Sequence, residues 1–283
     1  MCPYPRPSTI VLPALLASLL VSAPAVAQST TTVDLVPVAD TTLFQESTNH
    51  ASATGGSAFT GNNAGGYARR ALLRFDLTAI PSGATVVSAS LAISVDKAPP
   101  GVQSATGRLH RLLTSWGTGA SNSGSNGGGA IATAGDATWS HRFWGTPQLW
   151  RAPGGGGDFI PGASDTIAMT LLGRSTWSGD GVRADVQTWV DQPAQNFGWI
   201  IRGEETLDKT AHRFASAEFG TPADRPRLRI EYRPGSPGAT DNNVPLPAWA
   251  TAASGLALVT ALGRRSARRT SNRTSGPTVR DQK

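Results

Sequence analysis

Between residues 70 and 77 the chain reads Arg-Ala-Leu-Leu-Arg-Phe-Asp-Leu, and its apolar residues alternate. Ala71, Leu73, Phe75 and Leu77 share one face, with Arg70, Leu72, Arg74 and Asp76 opposite. A period of two is the signature of a half-buried strand. Residues 84–95 repeat it, with Val87, Ala89, Leu91, Ile93 and Val95 on one face. Further strands are expected at 34–38, 41–45, 107–113, 165–172, 197–202, 211–218 and 226–232, separated by Gly, Ser, Asn and Pro. In the last, Leu228, Ile230 and Tyr232 point inward and Pro226 suits a strand's first position. Only Gly181–Gln192 has helical spacing, through Val182, Val186, Trp189 and Val190, with Asp180 a candidate cap and Pro193 a stop. Many short strands and one helix predict an all-β fold: an antiparallel β-sandwich of jelly-roll type with one short helix, spanning 33–233.

The flanks read differently. Residues 1–27 have a basic residue (Arg6), an apolar run from Ile10 to Val21, and Ala25-Val26-Ala27 before Gln28, the pattern of a secretory signal peptide. The one cysteine, Cys2, lies within it, so the exported chain would carry neither a disulfide nor a cysteine metal site. The formal charge of +6 is a property of the other end. Seven Lys/Arg and one Asp fall in 264–283, and Arg6 leaves with the signal, so 17 basic residues face 18 acidic ones in the remainder. A nearly neutral domain with a basic tail is a poor fit to nucleic acid.

Motifs for catalysis are sparse. His50, His110, His141 and His212 show no metal-ligand spacing. There is no Gly-x-Ser-x-Gly elbow. Glu204 and Glu205 are adjacent, so on a strand they would face opposite ways and could not flank one glycosidic bond. Asp180 lacks the spacing of a calcium loop; a structural calcium ion is compatible with such a domain, but no spacing indicates one, and no cofactor is expected. Two glycine-rich stretches, 117–135 and 154–157, lack the sequence of a phosphate-binding loop and read as long loops. Between them lies Gly-Asp-Ala-Thr-Trp-Ser-His-Arg-Phe-Trp (135–144). Trp116, Trp139, Trp144 and Trp150 belong to this region and follow no apolar period. Trp189 and Trp199 read as core, with Trp199 alternating with Phe197 and Ile201. Two readings compete for the loop tryptophans: they stack on the faces of sugars, or they pin the long loops to the sandwich.

The segments "RALLRFDL", "IPSGATVVSASLAI", "DVQTWV", "NFGWIIRGEE", "HRFASAEF" and "RPRLRIEY" follow one another in an order that resembles the secreted DNRLRE-type domain, a family related to the carbohydrate-binding modules of some alginate lyases. "SWGTGASNSG" and "GDATWSHRFW" resemble its central region, and the likeness covers about 34–232. The hexapeptide itself is only echoed in Asp224-Arg225-Pro226-Arg227-Leu228-Arg229. The resemblance implies a β-sandwich with a non-catalytic, in some members polysaccharide-binding, role. A linker is expected at 234–243. Beyond it, Val244-Pro245-Leu246-Pro247, an apolar run from Ala248 to Gly263 and Arg264-Arg265 with Arg268-Arg269 resemble a PEP-CTERM exosortase sorting tail (244–269), followed by a basic end at 270–283. Leu246 stands where such motifs carry an acid. The run from Leu246 to Gly263 would span roughly 27 Å as a helix, against about 30 Å of hydrocarbon.

These features lead to an exported, non-catalytic surface domain that is transiently held at the membrane by its tail and processed by an exosortase-type enzyme. Its expected partner is an extracellular, acidic polysaccharide. Trp139, Trp144 and Trp150 would stack on sugars, Arg142 and Arg151 would pair with uronates, and His141 would supply a hydrogen bond. Asp136 is expected to fix its own loop. The alternative is a structural or adhesive surface protein that binds no sugar; a lyase or hydrolase is a distant third.

Overall fold

A computed structural model describes residues 29–102 and 105–235. The signal segment, the linker beyond Gly235, the sorting motif Val244 to Pro247, the apolar run and the basic end all lie outside them. Thirteen strands and one α-helix make up the fold. They are β1 (Thr31–Leu35), β2 (Pro37–Phe44), β3 (His50–Ala51), β4 (Ser57–Asn62), β5 (Ala68–Phe75), β6 (Thr85–Lys97), β7 (Ala105–Arg111), β8 (Ala130–Ile131), β9 (Asp165–Met169), β10 (Gly173–Trp177), α1 (Asp180–Asp191), β11 (Trp199–Arg202), β12 (His212–Ala215) and β13 (Arg227–Arg233). Every pairing is antiparallel.

The main sheet runs β1-β13-β6-β12-β4-β5-β11-β7-β9 and curls into two facing layers, with β10 added to β6 and β2 to β5. β4 makes the corner. Its Ser57–Thr60 pair with β12 in one layer, and its Gly61 and Asn62 pair with β5 in the other. Gly61 is where the strand changes layer. Its φ is 102°, and a β-carbon there would lie 2.6 Å from the Thr210 carbonyl oxygen, so only glycine fits the corner.

The alternation places the core. Ala71, Leu73 and Phe75 face Leu91, Ile93, Phe214, Leu228 and Ile230 across the layers, and the inward stripe of α1 (Val182, Val186, Trp189, Val190) joins the same cluster. Trp189 meets Trp199 edge-on with centroids 4.4 Å apart. Three local expectations are corrected. Val86 rather than Val87 enters the core at the start of β6, because a bulge skips a residue: Glu231 pairs with Ser88 and Tyr232 with Val86. The helix is capped at Gly179, not Asp180; Asp165 Oδ2 takes the Ser178 and Gly179 N–H groups instead. The first strand breaks at Val36, so 34–38 straddles β1 and β2.

The outward face of β2, β5 and β11 is also covered. Leu72 and Ile200, on the side opposite the main core, pack with Leu43, Leu112, Trp116, Trp139 and Trp150 in a second apolar cluster. The irregular chain from Leu112 to Ile160 lies over this face and hides it from water. Phe197, expected in the main core with Trp199, packs against the second cluster instead.

Candidate functional site

The loop tryptophans occupy a different position from a stacking platform. Trp139 and Trp150 are 7% and 4% exposed, and Trp116 is 2% exposed. Their polar edges are used internally: Trp150 Nε1 donates to the Thr138 carbonyl (2.8 Å) and Trp116 Nε1 to the Phe197 carbonyl (2.8 Å). The face of Trp139 carries the Arg70 guanidinium at 4.9 Å. Arg70 in turn grips Glu205 with two hydrogen bonds of 2.8 Å and donates to the Gly154 carbonyl at 2.6 Å, so this ring is fastened through the sheet to the second glycine-rich loop. Asp136 does fix its loop: it is fully buried and accepts from the N–H of Gly119 and of Thr133, each at 2.7 Å.

The other expected contacts lie nearer the surface but are engaged. Trp144 is half-buried and meets His141 edge-on at 4.9 Å, and His141 Nδ1 lies 3.1 Å from Ser140 Oγ. Arg142 donates to Thr114 Oγ1 and to the carbonyls of Ser115 and Leu149. Arg151 is exposed and donates to the Gly157 carbonyl at 3.1 Å. The structure brings these residues into one hairpin, bridged at His141 and Leu149. It offers no pair of open ring faces there, because the faces of Trp139 and Trp150 are turned onto the sheet.

A groove of about 560 Å³ opens instead at the corner where β4 changes layer. Phe59 and Asn62 of β4, Arg69 of β5, Arg213 of β12 and Lys97 at the end of β6 line it, with Pro99, Pro100, Asn63, Gly127 and Lys209 from the loops. The fold explains the gathering. On β12, His212 and Phe214 turn inward, so Arg213 turns out. Arg69 is held by an ion pair to Glu46 and by its Nε, which donates to the Gly127 carbonyl at 2.6 Å; this ties the first glycine-rich loop to the groove wall. Burial draws the Arg69 guanidinium below its ordinary value, and the Glu46 charge opposes that shift.

Arg213 makes a two-pronged contact with Asp96 at 2.9 Å. Lys97 and Lys209 form no ion pair among the described residues, and no carboxylate lines the groove. Four cations against the two acids that hold the arginines leave two uncompensated positive charges. Lys209 is also the one non-glycine residue with positive φ (57°) among those described, a conformation that costs of order 1–3 kcal/mol and persists only under constraint. The constraint is visible: Lys209 N–H donates to the Asn63 carbonyl and Thr210 N–H to that of Asn62.

None of the groove residues stood out in the sequence. The cations at 69, 97, 209 and 213 are scattered along the chain, and of these only Arg69 has a basic neighbour in sequence, Arg70. Compared with known proteins, the sequence matches no family model and no curated protein.

Proposed function

We propose that this chain is an exported, non-catalytic surface domain that binds an acidic polysaccharide in the groove at the β4 corner. The observation that carries the reading is the lining: four cations, no carboxylate, one aromatic ring, two prolines and two amides around a concavity large enough for a few sugar residues. Arginine and lysine meet uronate or sulfate groups, Asn62 and Asn63 meet hydroxyls, and Phe59 with the prolines gives the C–H faces an apolar floor. The order of strand motifs that resembles the DNRLRE-type domain supports the same role, and the signal-like and tail-like ends support export with temporary membrane attachment.

The test is calorimetric titration of the purified chain with alginate and pectin oligomers and a neutral glucan, at two salt concentrations. The acidic sugars bind, the glucan does not, and affinity falls as salt shortens the screening length to about 10 Å at 0.1 M. Lys97→Gln with Lys209→Gly weakens binding at least tenfold. No heat at millimolar sugar would reject this reading and leave the second one, a structural or adhesive surface protein. That alternative is favoured by one specific observation, the use of Trp116, Trp139 and Trp150 to fasten loops rather than to face solvent.

A further inference from the structure

The groove at the β4 corner does not end at Pro99 and Pro100. A second concavity of about 300 Å³ begins there and shares Lys97, Ala98, Pro99 and Pro100 with the first. Leu171 and Leu172, in the turn between β9 and β10, form its other wall. The register explains why the leucines sit here. Gly173, the first residue of β10, pairs with Val95 of β6, and Met169, the last of β9, pairs with Ala105 of β7. The turn at 170–172 is therefore held between the end of β6 and the start of β7, beside the loop that carries the two prolines. Bonds within the hairpin fix it: Ser175 Oγ accepts the Thr170 N–H at 3.0 Å and lies 2.9 Å from Thr170 Oγ1.

This side arm differs in chemistry from the groove. Apart from Asp96 and Lys97, no polar side chain lines it among the described residues. Asp96 is engaged by Arg213 with two bonds of 2.9 Å, which leaves Lys97 as the charge that borders both spaces. Leu171 and Leu172 are 41% and 68% exposed. A lone exposed leucine is ordinary, but two side by side against two prolines make an apolar wall that is stabilised when covered. Bare sugar hydroxyls do not suit such a wall, because they would give up water and find no side-chain partner. An apolar substituent does suit it.

We propose that the polysaccharide bound at this corner carries O-acetyl groups, and that the space between Lys97, Pro99, Pro100, Leu171 and Leu172 receives them. This inference rests on the acidic-polysaccharide reading and narrows its ligand. Continuity places the substituent: Lys97 borders both spaces, so a carboxylate held there sets an ester of its own or the next sugar against the leucines. The acetyl methyl leaves water for the apolar wall, and about 300 Å³ accommodates more than one such group. The Thr170–Ser175 bonds already hold the turn, so little ordering opposes the gain.

The test compares one oligogalacturonate before and after chemical O-acetylation, by calorimetric titration of the purified chain at fixed salt. The two ligands share their backbone and their carboxylates. The acetylated form is expected to bind about fourfold tighter or more, the factor for one buried methyl, and mild alkaline de-esterification of the same sample returns it to the original affinity. Leu171→Ser with Leu172→Ser, at two exposed positions, removes the preference and leaves the melting temperature and the affinity for the unacetylated ligand unchanged. Leu172→Ser alone, at the more exposed of the two, serves if the double variant melts early, and lowers the preference. Equal binding of the two ligands by the parent chain overturns the proposal and leaves the acidic-polysaccharide reading in place. A preference that survives in the double variant does the same. Binding of neither ligand removes the broader reading, and this one with it.

Discussion

Phe75 and Glu205 show how much single residues decide here. Phe75 is 1% exposed and meets Trp199 edge-on, with centroids 6.1 Å apart and planes at 68°. Phe75→Ala removes a ring between the two layers and should cost about 3–5 kcal/mol in urea unfolding, with the same denaturant slope. A loss under about 1 kcal/mol would mean that this face is not core. Glu205 works through charge. Burial alone would raise its carboxyl, but the hydrogen bonds and charges of Arg70 and Arg202 outweigh burial and hold it below its ordinary value. As pH falls, the unfolded chain takes up this proton first, near pH 4.3. The stabilisation from Glu205 is therefore complete above the unfolded value and is lost as pH falls through the lower folded one. Glu205→Gln should be less stable at neutral pH and should lose less stability between pH 5 and pH 3 than the parent chain. Parallel stability–pH curves would exclude the effect.

At the scale of elements, the unusual feature is that irregular chain does the work of a third layer. A β-sandwich normally leaves its outer faces to water, and polar residues alternate with the core ones. Here Leu72 and Ile200 stand on an outer face, and Trp116, Trp139 and Trp150 cover them. Burying an indole removes 150–250 Å², worth roughly 4–6 kcal/mol before ordering costs, enough to hold glycine-rich loops that would otherwise stay mobile. Trp150→Ala should therefore lower stability by about 3–5 kcal/mol, whereas Trp144→Ala, at a half-buried ring, should cost much less. Thermal melts of the two variants check this, and equal losses would show that the 141–149 hairpin is packed more tightly than its exposure suggests.

For the whole molecule, the question is where the domain works. No helix among the described residues is long and apolar enough to cross a membrane. The tail-like segment at 244–269 is outside them, and the proposal that it is a temporary anchor rests on the order of prolines, apolar run and arginines. The arginines would stay on the cytoplasmic side. Fractionation of cells expressing the full chain and a form ending at residue 240 measures the anchor: the full chain should partition with membranes until it is processed, and the shorter one should be released. Equal release would remove the tail from the account.

The division between sequence and tertiary structure follows from the range of each signal. A period of two is local, so the faces of β5 and β13, the inward stripe of α1 and the all-β class were legible from a dozen residues at a time. β4 was not legible. Ser57-Ala58-Phe59-Thr60-Gly61-Asn62 is buried at every position and has no alternation, because a corner strand touches both layers. The Val86 bulge depends on the pairing partner and leaves no mark within β6 alone. The tryptophans of 116–150 are visible as aromatics in polar loops, but whether they face solvent or the sheet depends on Leu72 and Ile200, two strands that converge only on folding. The groove cations lie up to 144 residues apart in the chain. Their chemistry comes from proximity, and the layer change at Gly61 creates that proximity at the groove.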